Sequence, residues 1–360
     1  PYMAWANEFT ANTREKTLVF SAMAISGQTG GALFYLLPLL PFFATSEITP
    51  QILKITVFIG AGVMLPGLLL ALKLVPNGHS GTDRHPAPTT VIPALPVKHR
   101  VTRAIRALMG NRPFLLYVAA FMCLGIGVGM WSGMFFIFVD AYLKLGDRFS
   151  EVSLWGLICG ICAIPVWYRL TLYWGKRTAW LAGMLVLTGV FFFTGLLSPE
   201  RSGFWALFAL NMLMTFAVAS MGVIAGPMLC DAIDYGRLKD NEERSALYFS
   251  IHSLMTKFQL AIGGALGMGI VGWFGFDVNL AEQSATALTG LRLSVAWGPV
   301  GFTLLAMVFI ALTPLNERRM VIIRQRLETR NRSACQEACT DNAVPKANVS
   351  VDRRAKAASA

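Results

Sequence analysis

Charged residues are scarce in this chain. Asp, Glu, Lys and Arg make up 14% of its 360 residues, whereas 55% are hydrophobic, and the mean hydropathy is +0.55. Soluble globular domains carry about 25% charged residues. The composition therefore excludes a soluble globular domain and indicates a protein with several membrane spans.

Groups that carry chemistry in enzymes are also few. The chain has four His and six Cys residues, and it has no metal-ligand spacing, no paired carboxylates and no nucleophile with a base at usable spacing. The stretch "CGIC" at 159–162 has redox spacing, but it lies inside an apolar run without a strand or a basic neighbour. The sequence therefore predicts neither an enzyme nor a bound cofactor.

Long apolar runs, in contrast, are abundant. A helix needs about 20 predominantly apolar residues to cross the hydrocarbon of a bilayer. Runs of this kind cover roughly residues 18–43, 52–75, 114–139, 152–174, 178–197, 203–229, 246–275 and 293–314. We therefore predict an all-α polytopic membrane protein with eight transmembrane helices and with both termini on one side.

The basic residues are distributed unevenly between the predicted loops. Of the 31 Lys and Arg residues, 25 lie on the side of the termini, and only Lys144, Arg148, Arg201 and Arg292 lie on the opposite side. Because basic flanks stay in the cytoplasm during insertion, both termini are predicted to be cytoplasmic, in the inner membrane of a bacterium. A basic face beside anionic membrane lipids explains the net charge of +11 without a nucleic acid partner.

The spans fall into two unequal groups. Residues 1–75 hold two spans, and residues 76–113 form a cytoplasmic linker, rich in Pro, Gly and Thr, that ends in a basic amphipathic helix. Residues 114–315 hold six spans, and residues 316–360 form a basic cytoplasmic tail. This order is typical of the second bundle of a two-bundle transporter. Since the chain starts at Pro1, we expect its first bundle to lack the preceding helices.

One ammonium group, that of Lys257, lies near the middle of a predicted span. A charge near the bilayer centre costs roughly 2.5–3.5 kcal/mol on insertion scales, so we expect Lys257 to face a cavity or the interior of the bundle. Ser250, Ser253, Ala261 and Gly264 share its helix face and make a stripe of polar and small groups. Lys257 either pairs structurally with a carboxylate on another helix or responds to a coupling ion, a proton or an anionic substrate group.

A few other polar or aromatic residues lie on the apolar spans. Sugar sites stack a sugar ring on an aromatic side chain and bind its hydroxyl groups with polar ones. Each of these residues is also common in helix cores, and both interpretations stay open. The candidates are Trp131, Asn211, Thr215, His252 and Gln28.

The loop "PMLCDAIDYGRLKDNEER" at 227–244 carries both signs of charge on the predicted cytoplasmic side. It is either a solvated turn or a gate in which Asp231 and Asp234 bind Arg or Lys of the other bundle when the inner side is closed. A second basic turn that suits such pairing contains Arg169, Lys176 and Arg177.

Several motifs resemble those of one family, the glycoside-pentoside-hexuronide:cation symporters of the major facilitator superfamily, which include the melibiose permease. The stretches that carry the resemblance are "PYMAWANEFT", "NRPFLLY", "VDAYLKLG", "VWYRLTLYWGKRTAW", "PMLCDAIDYG" and "ALYFSIHSLMTKFQLAIGGALG". The resemblance implies that the eight spans correspond to helices five to twelve of twelve. It matches Lys257 to a lysine near the substrate and cation sites and Ser253 to a polar neighbour of the sugar. It also implies a gate formed by Asp231, Asp234 and Arg244.

By this resemblance the protein is expected to be a secondary active transporter that couples Na+ or H+ to symport of a sugar or glycoside by alternating access. Sugar-specific members tend to carry an arginine early in helix five, where this chain has an apolar stretch with Met23. A lipid-like or other amphipathic solute is therefore a rival expectation. A membrane scaffold or sensor that does not transport is a second rival.

Overall fold

The computed structural model describes residues 13–36, 50–74, 102, 106, 108–198, 203–240, 244–277, 280, 283–314, 319–323, 325–327, 329 and 330. Within these ranges the regular structure is helical and contains no strand. The all-α prediction is therefore confirmed.

Nine α-helices have defined bounds within the described part of the chain. They are α1 (Thr13–Leu36), α2 (Pro50–Leu74), α3 (Arg112–Ile137), α4 (Phe149–Trp174), α5 (Lys176–Leu196), α6 (Phe204–Asp240), α7 (Ser245–Trp273), α8 (Ala285–Arg292) and α9 (Gly298–Ala311). A π-helical turn at Phe138–Tyr142 extends α3, and another at Leu293–Trp297 joins α8 to α9.

Six helical segments of the described residues are long and apolar enough to cross a membrane. They are Arg112–Tyr142, Val152–Trp174, Lys176–Leu196, Phe204–Asp240, Ser245–Trp273 and Ala285–Ala311, and they correspond to the last six predicted spans. The first two predicted spans fall on α1 and α2, where α2 has a shorter apolar stretch at Val57–Leu70. Residues 37–43 of the first prediction lie outside the described residues.

Two helices extend beyond the predicted spans. Helix α6 continues to Asp240, eleven residues past the end of its apolar run, and the last span starts at Ala285 rather than 293. Hydropathy marks the hydrocarbon-crossing part of a helix, whereas backbone hydrogen bonds continue the helix into polar sequence. The charged stretch 231–240, interpreted above as a loop, is therefore the last part of α6.

Side-chain contacts bring the starts of α1, α3, α5 and α7 together with the end of α6 at one end of the assembly. We call this the basic end, because Lys16, Arg112 and Lys176 lie there. At this end α4 passes to α5 through a single residue, Gly175, whose φ of 83° is favourable only for glycine. At the opposite end, the Tyr142 hydroxyl donates to the Leu197 carbonyl at 3.2 Å.

Helices α3 and α7 pack at unusually close range. A Cβ atom added to Gly263 of α7 would lie 2.5 Å from the carbonyl oxygen of Ile126 and 2.8 Å from the Cα of Gly129, both on α3. Glycine is required at this position because the two backbones are nearly in contact. This contact with α3 determines which face of α7 is buried. His252 and Gln259 are also buried residues of α7.

Helix α1 packs against α4 and α6, so it joins the group formed by the later helices. Phe20 of α1 is 5% exposed and lies over Gly226 of α6. Of the predicted amphipathic helix before α3, Leu108 is buried, whereas Val101 and Ile105 lie outside the described residues.

Candidate functional site

Two opposite charges connect α1 to α6 at the basic end. The Lys16 ammonium donates to a carboxylate oxygen of Asp234 at 3.1 Å. The two side chains are only 5% and 14% exposed, so water screens the pair weakly. Asp234 thus binds a lysine from the predicted first bundle. This lysine, Lys16, was not among the residues predicted for the gate.

A second ion pair lies beside the first and is more deeply buried. Lys176, at the start of α5, donates to Asp231 of α6. Both side chains are 7% exposed. Asp231 was expected to bind a basic residue of the other bundle, but the structure pairs it inside its own bundle.

Helical geometry explains why the two carboxylates act together. Asp231 and Asp234 are three residues apart on α6 and therefore lie on one face, one turn apart. Lys176 approaches this face from α5 and Lys16 approaches it from α1. We call these four side chains the ion-pair cluster.

The other basic residues predicted for the gate lie elsewhere. Arg177 donates to the Ala311 carbonyl at the end of α9, which stabilises a helix C-terminus. Arg169 is exposed on α4. Arg244 is half-buried and lines a small cavity together with Arg237 and Asp240.

Asn111 holds three helices together near the ion-pair cluster. Its side-chain oxygen accepts from the backbone N–H of Phe114 at 3.1 Å, which caps α3. Its amide donates to the Ala232 carbonyl at 2.9 Å and to the Tyr248 hydroxyl at 3.0 Å. Sequence reasoning missed this residue, although an Asn two residues before Pro113 is a helix-start signal.

Lys257 lies on the exposed face of α7, together with Ser250 and Ser253. We call these three residues the Lys257 stripe. Of the two expected environments, the interior of the helices that the structure describes is excluded, because Lys257 is exposed there. A cavity beside this exposed face stays a prediction. Gly263 must face α3, and six residues of helix place Lys257 about 120° around the helix axis from it.

His252 lies on a different face of α7 from the Lys257 stripe. It is buried, its Nδ1 is 3.1 Å from the Tyr117 hydroxyl, and its ring centroid is 4.5 Å from that of Phe121. The described residues therefore do not bring His252 and Lys257 to one surface.

Three further predicted site residues, Asn211, Thr215 and Gln28, lie where α1, α4 and α6 meet. Asn211 is buried and donates to the Val152 carbonyl at 2.9 Å, and the Thr215 hydroxyl donates to carbonyls of its own helix at 2.9 and 3.1 Å. These donors are satisfied within the protein. Gln28 of α1 and Thr215 both approach Gly160 of α4.

Trp131 of α3 differs from these residues. Its ring stacks on Phe135 with centroids 4.1 Å apart, and its indole N–H is buried without a hydrogen-bond partner among the described residues. A buried donor without a partner is costly. The indole N–H of Trp131 can thus donate a hydrogen bond to a group outside the described residues.

Comparison with known proteins gives the family. The sequence profile described as MFS/sugar transport protein matches residues 1–317. The chain belongs to that family. The resemblance predicted from the sequence motifs is therefore confirmed, and so is the prediction of a transporter family rather than an enzyme family.

Several named proteins of this family are similar to the chain. A sodium-dependent lysophosphatidylcholine symporter 1-A of Danio rerio is 22% identical over 60% of this chain and 41% of its own length. A glucuronide carrier protein homolog of Escherichia coli is 26% identical over 64% of this chain and 50% of its own length. An uncharacterized symporter of Bacillus subtilis is 22% identical over 92% and 69%. The chain thus spans about half the length of the first two of these relatives.

Proposed function

We propose that this MFS/sugar transport family protein is a secondary active symporter, driven by Na+ or H+, that moves a small solute by alternating access. The observation that carries the proposal is the Lys257 stripe, an ammonium and two hydroxyl side chains on the exposed face of a span. Family membership supports the same activity.

The position of Lys257 argues against contact with lipid. It is the thirteenth of 29 residues in α7, near the middle of the span. An ammonium that faced hydrocarbon at this depth would cost roughly 2.5–3.5 kcal/mol. We therefore place it against a water-filled route or a polar partner, where it responds to the coupling cation or to an anionic group of the solute.

The ion-pair cluster supports the alternating-access part of the proposal. The Lys16–Asp234 pair joins α1 to α6, and in the proposed arrangement these helices belong to different bundles, with residues 1–75 and 114–315 as the bundle segments. Opening the basic end would require the pair to separate and be hydrated. A symporter with the pair intact is thus closed at that end.

For the solute we propose a sugar or glycoside. The unpartnered indole N–H of Trp131 and the half-buried amide of Gln28 are groups that can bind hydroxyls. One relative is named a glucuronide carrier protein homolog. We further propose the bacterial inner membrane as the location, with the basic end in the cytoplasm.

A lipid-like amphipathic solute is the second candidate. Leu18 and Ile25 of α1 are 54% and 38% exposed, and Met23 lies between them where sugar-specific members tend to carry an arginine. Two relatives are named sodium-dependent lysophosphatidylcholine symporters. An apolar surface along α1 would suit an acyl chain.

The test is uptake into vesicles that contain the full-length protein, under an imposed Na+ or proton gradient. We expect Lys257→Ala to lower uptake at least tenfold with unchanged thermal stability. Lys54→Ala is the matched control, because Lys54 is another exposed lysine on a predicted span, and it should retain uptake. Competition by glycosides or by lysophospholipids separates the two solute classes. Wild-type uptake without response to either gradient would overturn the proposal.

A further inference from the structure

The chain after the last span forms a short helix with two different faces. Residues 319–323, 325–327, 329 and 330 are helical, and we call these residues the tail helix. Met320, Ile323 and Leu327 are buried and pack against Tyr235 and Leu238 of α6. The tail helix is therefore docked on the end of α6 through one apolar face.

A polar contact fixes the same docking. Arg330 donates to the carbonyls of Arg237 and Leu238 at 3.2 and 3.4 Å. These carbonyls belong to the last turn of α6, where a helix leaves carbonyl oxygens without internal partners and carries partial negative charge. Docking thus orients the tail helix and sets which of its residues face outward.

The outward face combines cationic and apolar groups. Arg319 and Arg326 are exposed, and Val321 and Ile322 are 55% and 49% exposed. Residues 318–332 contain six Arg and only one acidic residue, Glu328. An open cavity of about 450 Å³ beside this face is lined by Ile322, Gln325, Arg326, Thr329 and Arg330.

The tail helix lies close to the membrane surface. The last span ends at Ala311, and Arg319 donates to the carbonyl of Pro314 at 3.2 Å. Pro314 is three residues after Ala311, and three residues of extended chain span at most about 11 Å. The exposed arginines therefore lie within reach of the phosphate groups of the adjacent leaflet.

We propose that the outward face of the tail helix binds anionic lipid, with Arg319 and Arg326 on the headgroup phosphate and Val321 and Ile322 against the acyl boundary. Guanidinium groups bind phosphate through paired N–H donors. The exposed apolar residues favour a lipid over a free phosphate, because only the lipid has acyl chains that can cover their apolar surface. This inference does not depend on transport.

The experiment is hydrogen exchange of the full-length protein in nanodiscs of phosphatidylcholine, with or without one third phosphatidylglycerol. We expect phosphatidylglycerol to slow exchange of the peptide that contains 319–330 about tenfold. The double variant R319Q/R326Q should lose this effect, because each basic residue near the surface contributes about fivefold to anionic-lipid binding.

Two control variants test whether the effect is local. K144Q/R148Q removes the same charge at the opposite end of the helices, and Gln325→Ala changes an uncharged residue of the same face. Both should keep the phosphatidylglycerol effect. Equal exchange in the two nanodiscs, or a full effect in R319Q/R326Q, would overturn the proposal. Slowing by inorganic phosphate alone, in phosphatidylcholine nanodiscs, would assign the site to free anions instead.

Discussion

Lys16 and Asp234, which are 218 residues apart in the chain, form an ion pair of 3.1 Å between α1 and α6. Asp231, one turn earlier on α6, binds Lys176 of α5. One helix face therefore holds two lysines that arrive from different directions. Any separation of α1 from α6 must break the Lys16–Asp234 pair.

Neutralising Lys16 should loosen the contact between α1 and α6. The pair is mostly but not fully buried, so its loss should cost between the roughly 1 kcal/mol of exposed pairs and the 3–5 kcal/mol of buried ones. For Lys16→Gln we expect several-fold faster labelling of a cysteine introduced at Ala24, which faces Gly222 of α6. The measurement is maleimide labelling in vesicles. The exchanged pair K16D/D234K should restore slow labelling, and fast labelling in the exchanged protein would contradict an electrostatic role.

The Lys176–Asp231 pair should matter more for stability than for motion. Asp231→Asn leaves a buried ammonium without its counter-charge, which should destabilise the protein by roughly 3–5 kcal/mol. Thermal unfolding in detergent should show a Tm lower by several degrees. The apolar double variant K176M/D231L should recover most of the loss, whereas Asp140→Asn, at an exposed position, should change little. A double variant as unstable as Asp231→Asn would argue that the charges are needed for another contact.

Two adjacent glycines of α7 should respond oppositely to alanine. At Gly263 the new methyl group would meet backbone atoms of α3 at 2.5 and 2.8 Å, whereas at Gly264 nothing described lies within 4 Å. Gly263→Ala should therefore destabilise by about 1–3 kcal/mol, because backbone atoms cannot rotate away. Gly264→Ala should be neutral or slightly stabilising through helix propensity. Equal Tm values for the two variants would show that α3 and α7 are not in close contact.

The same glycines show what could be predicted from the sequence. Apolar runs predicted the helices because a backbone in hydrocarbon must satisfy its own hydrogen bonds. The orientation of α7 was not predictable, since Gly263, Gly264, Gly267 and Gly269 cover several faces and only the α3 backbone selects among them. Lys257 was consequently recognised as unusual, but its exposure on the described face of α7 could not be predicted.

The partners of charged residues were predicted only in part. Asp231 and Asp234 were expected to bind basic residues as members of a charged loop, whereas the structure places them on one face of α6. Lys16 was not, because in "TREKTL" it resembles an ordinary basic flank of a span. Its importance depends on α1 packing against α6, a contact between distant parts of the chain.

Asn111 offers a test of how the basic end is held together. Asn111→Ala removes the cap of α3 and the bonds to Ala232 and Tyr248, so we expect a loss of roughly 2–3 kcal/mol. Tyr248→Phe removes one of the same bonds and should cost about 1 kcal/mol. Because the two side chains share that bond, the double variant should be less destabilised than the sum of the single variants. Thermal or denaturant unfolding of all four proteins measures this coupling, and strict additivity would show that the Asn111–Tyr248 bond contributes nothing.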